Sequence, residues 1–138
     1  MDFEFSIKEI DNKKNDDYSN ALNYLYEPNS MILKSGAFGL ICDRYDVKKL
    51  NTNSHLYTSK KLIDFPGRVF EVKSVVNYSK KNLKDLNIYK ANITTRNFPI
   101  DVKDIRKKSK ILDGGEDYLF FTSNHLNDQI IIKTKKPH

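Results

Sequence analysis

The chain has 138 residues and a mass of 16.1 kDa, with 38% hydrophobic residues, 30% charged residues and a mean hydropathy of −0.64. This composition is typical of one or two small folded domains and argues against a wholly disordered chain, while no apolar run approaches the roughly 20 residues of a membrane span. The acidic start is no secretory signal, and one cysteine, Cys42, can form neither an internal disulfide nor a four-sulfur metal site. We therefore expect a cytoplasmic protein without metal, cofactor or membrane partner.

The positive charge is confined to one half of the chain. Residues 1–66 contain 9 Lys and Arg and 10 Asp and Glu, a net charge of 9 − 10 = −1, whereas residues 67–138 contain 15 and 8, a net charge of 15 − 8 = +7. Such an asymmetry predicts a polyanionic partner for the second half. Lysines outnumber arginines 20 to 4, however, and an AT-rich genome raises lysine content without any functional demand.

The first half alternates short periodic segments with polar loops. In chain order we expect a strand at 3–7, a loop at 11–20, a helical turn at 21–26 ended by Pro28, an amphipathic helix at about 31–45 capped by Asn29 or Ser30, and a weak strand at 53–58. The Phe65–Gly67 segment is a strong break, with Pro and Gly in the order that a type II turn prefers. We place a domain boundary there, giving domains at 1–66 and 67–138.

The second half predicts the order β-α-β-α-β-β. The expected elements are a strand at 68–76, a helix at 80–86 capped by Ser79, a strand at 90–98 stopped by Pro99, a helix from the Asp101 cap to about Lys110, a turn at 113–115, and a hairpin of 118–123 with 129–134. This order indicates an α+β domain with helices on one face of a small sheet.

Two surfaces of the second half suit a nucleic acid. Strand alternation places Lys90, Asn92, Thr94 and Arg96 on one sheet face, which can contact sugar and phosphate oxygens. On the following helix the cations form a stripe at i, i+3, i+4 and i+7, namely Lys103, Arg106, Lys107 and Lys110. Both patterns also occur on ordinary solvated surfaces, and bases at a helix end stabilise the helix dipole.

Other candidate motifs favour structural roles. Gly36–Gly39 has the GxxG spacing of a nucleic-acid clamp but no basic residue inside it, so close helix packing is the better reading. His55 and Tyr57 suit base stacking or acid–base chemistry, and Cys42 lies on an apolar helix face. The chain contains no glycine-rich nucleotide loop, no zinc-protease motif and no nucleophile elbow. The residues thus predict a binding module, not an enzyme.

Five blocks of the sequence carry a family resemblance: YLYEPNSMILKSGAF (24–38), NSHLYTS (53–59), DFPGRVFEV (64–72), KANITTRNFP (90–99) and DGGEDYLFF (113–121). The chain resembles, from about residue 18 to 134, the C-terminal region of bacterial class I S-adenosylmethionine-dependent methyltransferases. In that family a Rossmann-like catalytic domain precedes a ferredoxin-like module and a THUMP-like domain. The resemblance implies a ferredoxin-like part at 1–66, a THUMP-like part at 67–138, and recognition of structured RNA such as tRNA.

No cofactor loop of the catalytic domain occurs in this sequence, so we expect a non-catalytic RNA-binding chain. The alternative is a protein-interaction module that docks onto a separately encoded methyltransferase domain through the apolar surface of helix 31–45 and the N-terminal strand. The residues predicted to contact RNA are Arg68, Lys90, Asn92, Thr94, Arg96, Lys103, Arg106, Lys107 and Lys110.

Overall fold

A computed structural model of the chain describes residues 18–35 and 38–137. The strands and helices in these ranges are β1 (Tyr24–Pro28), α1 (Ser30–Ser35), α2 (Phe38–Tyr45), β2 (Lys48–Lys49), β3 (Tyr57–Ser59), β4 (Gly67–Asn77), α3 (Lys80–Asp85), β5 (Lys90–Arg96), α4 (Val102–Ser109), β6 (Leu112–Ser123) and β7 (Gln129–Lys135). None of these helices is long and apolar enough to cross a membrane. The predicted strand at 3–7 lies outside the described residues.

The seven strands form one sheet in the order β2-β3-β1-β4-β7-β6-β5. Neighbouring strands are antiparallel, except that β5 and β6 are parallel. β1 pairs with β4 from Tyr24 opposite Glu71 to Pro28 opposite Gly67. The two halves of the chain therefore share a continuous sheet, and the α+β class is confirmed.

The four helices cover one face of this sheet, which we call the helical face. Beside β5, β6 and β7, the buried residues Leu119, Phe121 and Ile131 pack with Leu83 of α3 and Ile105 of α4. At the other end of the sheet, Tyr26 and Tyr57 pack in a separate cluster with Ile41 and Cys42 of α2. Directly paired strand residues share a face, so these contacts define the side on which the helices lie.

The opposite face, which we call the loop face, is covered by the segment between β2 and β3. Leu50 and Leu56 of this segment are fully buried against Leu25, Phe70 and Phe120. The rings of Phe70 and Phe120 meet edge to face with centroids 4.9 Å apart, a favourable aromatic geometry. Each half of the chain therefore supplies part of a common core on this side.

The predicted β-α-β-α-β-β order is confirmed, together with both helix caps. The Ser79 Oγ accepts a hydrogen bond from the Asn82 N–H at 3.0 Å, and the Asp101 Oδ1 accepts one from the Asp104 N–H at 2.9 Å. Such side chains satisfy N–H groups that have no partner within the helix, which is why they locate a helix start from sequence. The hairpin of β6 and β7 also lies where its pattern predicts.

The helical turn predicted at 21–26 is wrong, because this segment enters β1. Tyr24 and Tyr26 face the helical side of the sheet, while Leu25 faces the loop side, so the alternation is that of a strand buried on both faces. Pro28 is tolerated because it ends the strand. Opposite it, a Cβ at Gly67 would clash with the Glu27 carbonyl oxygen, and this close approach explains the glycine at the start of β4.

Three other boundaries differ from the prediction. The segment 31–45 contains α1 and α2, with residues 36 and 37 outside the described ranges, and the Asn29 side chain caps α1 by accepting the Ile32 N–H. The strand predicted at 53–58 is reduced to β3, since residues 52–54 form a turn. The turn predicted at 113–115 lies within β6 as an irregularity, where Ala91 pairs with Asp113 but Asn92 pairs with Tyr118.

Candidate nucleic-acid interface

Two of the arginines in the second half bind the same carboxylate. Glu27, whose side chain is only 11% exposed, places its Oε1 2.7 Å from the Arg68 Nη2 and its Oε2 2.7 Å from the Arg96 Nη2. Arg96 also donates a hydrogen bond to the Thr95 carbonyl oxygen, and the Arg68 guanidinium lies 5.2 Å from the centroid of the Phe70 ring. Both arginines therefore have internal partners on the loop face.

Arg106 connects α4 to the start of β5 and β6. Its guanidinium donates hydrogen bonds to the carbonyl oxygens of Ile111 and Ala91, both at 3.1 Å, and to the Asp113 carboxylate at 3.0 Å. The Asn92 amide has a similar role, because it donates to the Gly115 and Asp117 carbonyl oxygens in the irregular part of β6. These side chains support the backbone, which limits their capacity to bind another molecule.

The lysines of the segment 80–110 behave differently from the arginines. This segment contains 10 Lys and Arg but only 3 Asp and Glu, so its net charge of 10 − 3 = +7 equals that of the whole second half. Its eight lysines are all exposed, and none forms an ion pair with a carboxylate of the described residues. The eight lysines are Lys80, Lys81, Lys84, Lys90, Lys103, Lys107, Lys108 and Lys110. Their ammonium groups are therefore accessible to an anionic partner.

The residues predicted from sequence do not share a single surface. Thr94 and Arg96 point to the loop face, since their paired neighbours Phe120 and Thr122 of β6 do so. The helix α4 lies on the helical face, where Ile105 packs near Ile93. The sheet thus separates Thr94 and Arg96 from Lys103, Lys107 and Lys110. Lys90 lies at the exposed start of β5, with its alkyl stem passing 3.3 Å from the position that a Gly115 Cβ would occupy.

A groove between α3 and α4 was not predicted from sequence. The volume of this groove is about 1000 Å³. Its lining includes the lysines Lys80, Lys84, Lys108 and Lys110 and the aromatic residues Tyr78 and Tyr89. Lys80 and Lys84 lie one helical turn apart on α3, and this i, i+4 spacing is the signal that could have identified one wall. Only the fold brings that wall opposite the end of α4.

His55 and Tyr57 lie in different environments, since His55 is partly exposed whereas Tyr57 is fully buried on the helical face. Burial, together with the positive charges of Lys49 and Arg96, lowers the pKa of His55, and burial also lowers the pKa of Lys49. Burial raises the pKa of the Tyr57 hydroxyl, whose ring is fully enclosed, so this hydroxyl stays protonated. Cys42 is buried in the cluster that contains Tyr57. Tyr57 and Cys42 are therefore part of the packed interior.

Two further kinds of site considered from the sequence are a metal site and the GxxG motif. Within the described ranges, no group of three or more His, Cys, Asp and Glu side chains is placed to hold a metal ion. Of the GxxG motif, Gly36 and Ala37 lie outside those ranges.

Comparison with known proteins yields matches over both halves of the chain. A family model of a ferredoxin-like domain matches residues 24–66, and a model described as THUMP domain-like matches residues 67–136. A crystal structure from Porphyromonas gingivalis W83, described as a "putative methyltransferase", is similar with a TM-score of 0.82 and 36% identity. The match covers 88% of this chain but 31% of that protein, so the chain spans about a third of its length.

No curated protein matches the chain significantly. The THUMP domain-like model alone accounts for half of the residues, and it covers the segment in which the order β-α-β-α-β-β is observed. The chain therefore belongs to the THUMP domain-like family, with a ferredoxin-like domain preceding the THUMP-like one.

Proposed function

We propose that this chain is a non-catalytic RNA-binding unit that holds structured RNA, such as tRNA, for a methyltransferase. The observation that carries this proposal is the presence of eight exposed lysines without carboxylate partners within residues 80–110. Unpaired lysines bind phosphates and release condensed counterions, whereas the internally paired arginines would first have to break their existing bonds.

The family supports the same function. The similar Porphyromonas gingivalis protein is described as a "putative methyltransferase", and the matched part of it is about a third of its length. A chain that corresponds to this part, with a basic surface and no recognisable cofactor motif, suits substrate capture better than catalysis. We propose the ferredoxin-like domain at 1–66 and the THUMP-like domain at 67–138 as its two parts.

The residues predicted from sequence to contact RNA fall into two groups, those that contact phosphates and those with structural roles. Lys90, Lys103, Lys107 and Lys110 contact phosphates, because they are exposed and carry no ion pair within the described residues. Arg68, Asn92, Arg96 and Arg106 have structural roles instead, because their donors already bind protein oxygens. Thr94 lies with Arg96 on the loop face and has no direct part in this contact.

Binding to total tRNA across a salt series tests the proposal. We expect binding at low salt and a linear decrease of the logarithm of the association constant with the logarithm of the salt concentration. Absence of binding at low salt, or an affinity that does not change with salt, would refute the electrostatic contact. Binding to a double-stranded RNA of about the length of a tRNA, measured under the same conditions, shows whether the affinity depends on the shape of the RNA.

A second candidate function is docking onto a separately encoded methyltransferase domain. Met31 of α1 and Leu40 of α2 are 78% and 67% exposed, so these two helices present apolar side chains that a partner could cover. Co-expression of a candidate catalytic domain with the wild-type chain and with a Met31→Lys, Leu40→Lys variant tests this function. Co-purification with the wild type alone supports docking, and a failure of both to co-purify counts against it.

A further inference from the structure

The groove between α3 and α4 combines an apolar floor with a cationic rim. Leu83 and Ile111 are buried beneath it, and Ile100 completes its floor. Lysines from both helices line the rim, and none of the lining residues, all of which belong to the described ranges, is acidic. At about 1000 Å³ the groove lies at the upper end of the range for small-molecule sites, so it suits an extended anionic occupant.

Tyr89 provides a flat surface at the edge of this groove. Its side chain is 76% exposed, although its backbone carbonyl oxygen accepts a hydrogen bond from the Leu112 N–H at 3.0 Å. The backbone is therefore held in place while the ring faces solvent. Tyr78, by contrast, is packed edge to face against Phe98 and Phe121, with centroids 5.0 and 6.1 Å apart, and forms a fixed wall.

The chemistry of the groove selects a ligand with negative charges next to flat apolar rings. Unpaired nucleotides have this combination, because their bases can stack on aromatic side chains while their phosphates bind lysines. Bases within an RNA duplex are already stacked, and the deep major groove keeps them from protein side chains. Tyr89 can therefore contribute to binding only where the RNA strand is unpaired.

We propose that unpaired nucleotides of the bound RNA enter the groove between α3 and α4. One base stacks on the Tyr89 ring, and the adjoining phosphates lie against Lys84, Lys108 and Lys110. This proposal rests on the proposed RNA-binding function and specifies which part of the RNA the THUMP-like domain holds. The remaining exposed lysines, among them Lys81 and Lys103, lie outside the groove lining, so any phosphates that they contact belong to parts of the RNA outside the groove.

A tryptophan placed at Tyr89 reports on stacking directly, since the chain contains no tryptophan. With the Tyr89→Trp variant we expect saturable quenching of indole fluorescence by a single-stranded oligoribonucleotide and little quenching by a duplex of the same length. Equal quenching by the two, or binding of the single strand without any quenching, would overturn the proposal.

Affinity measurements on matched variants complete the test. Tyr89→Ala should weaken binding of the single strand by about 10-fold or more, whereas Tyr89→Phe should retain it, because stacking needs only the ring. The pair Lys84→Ala with Lys108→Ala should weaken single-strand binding more than the pair Lys81→Ala with Lys103→Ala, which removes the same charge outside the groove. If both pairs reduced the affinity for the single strand equally, while the single strand still bound, the proposed binding in the groove would be refuted and the proposed RNA-binding function would stand. If neither RNA binds at low salt, the proposed function itself fails.

Discussion

The Glu27 carboxylate and the Arg96 guanidinium approach to 2.7 Å, although they belong to the third and the seventh strands of the sheet. In a flat sheet these strands would lie about 19 Å apart, at four spacings of about 4.8 Å. The sheet must therefore curl around its loop face, where Asn97 at the end of β5 also donates to the Asn51 side chain. The ion pair joins the ferredoxin-like and THUMP-like halves across their common core.

Glu27→Gln should lower the free energy of unfolding by about 2 kcal/mol, because two arginines lose a nearly buried charged acceptor. Chemical denaturation measures this loss. The matched control is Glu71→Gln, which removes a carboxylate paired with Lys73 on a more exposed part of the surface and should cost less than about 1 kcal/mol. If both variants lost the same free energy of unfolding, the contact of Glu27 with two arginines would contribute no more stability than an exposed ion pair.

Arg106→Lys should destabilise the fold by about 1–2 kcal/mol, because a lysine cannot reproduce the forked hydrogen bonds to Ile111, Ala91 and Asp113. The charge is kept, so the salt dependence of RNA binding should not change. Lys107→Arg serves as the control, since Lys107 is exposed on the same helix. A fall in RNA affinity without a loss of stability would show that Arg106 contacts the nucleic acid instead.

The pair Lys103→Ala with Lys107→Ala should lower the slope of the logarithmic salt dependence of RNA binding by about one for each phosphate contact removed. A matched pair, Lys60→Ala with Lys61→Ala, removes two exposed lysines from the first half of the chain. Titrations of total tRNA at several salt concentrations give both slopes. An equal reduction by the two pairs would mean that the charge acts over the whole molecule and not through residues 80–110.

The stability of the protein should decrease as the pH falls below about 6.5. Burial, and the positive charges of Lys49 and Arg96, lower the pKa of His55 below its ordinary value of 6.5. Between the folded and the unfolded pKa, the unfolded chain holds more protons, so protonation favours unfolding in that range and has no further effect below the folded pKa.

His55→Asn should reduce this dependence on pH, and asparagine tolerates the positive φ of 52° at this position. Denaturant unfolding of both proteins between pH 7.5 and 5 measures the difference. Parallel stability curves for the two proteins would show that His55 does not titrate in this range.

Local signals in the sequence identified much of the fold. The caps at Ser79 and Asp101 and the alternation of the β6–β7 hairpin depend on contacts within a few residues, so they can be read from the chain itself. The helical turn predicted around Tyr24 and Tyr26 is wrong, because a short apolar run does not distinguish a strand buried on both faces from a helical turn.

The sequence by itself determined the family, the α+β class and the concentration of charge in residues 80–110, because these follow from residue order and composition. Only the tertiary structure decided which cations are available. The Arg96 side chain reaches Glu27 although three strands lie between their own, and Lys84 and Lys108 line the same groove from different helices. The separation of these residues along the chain indicates neither relationship. The physical reason is that pairing and exposure depend on how strands and helices pack, which local patterns do not encode.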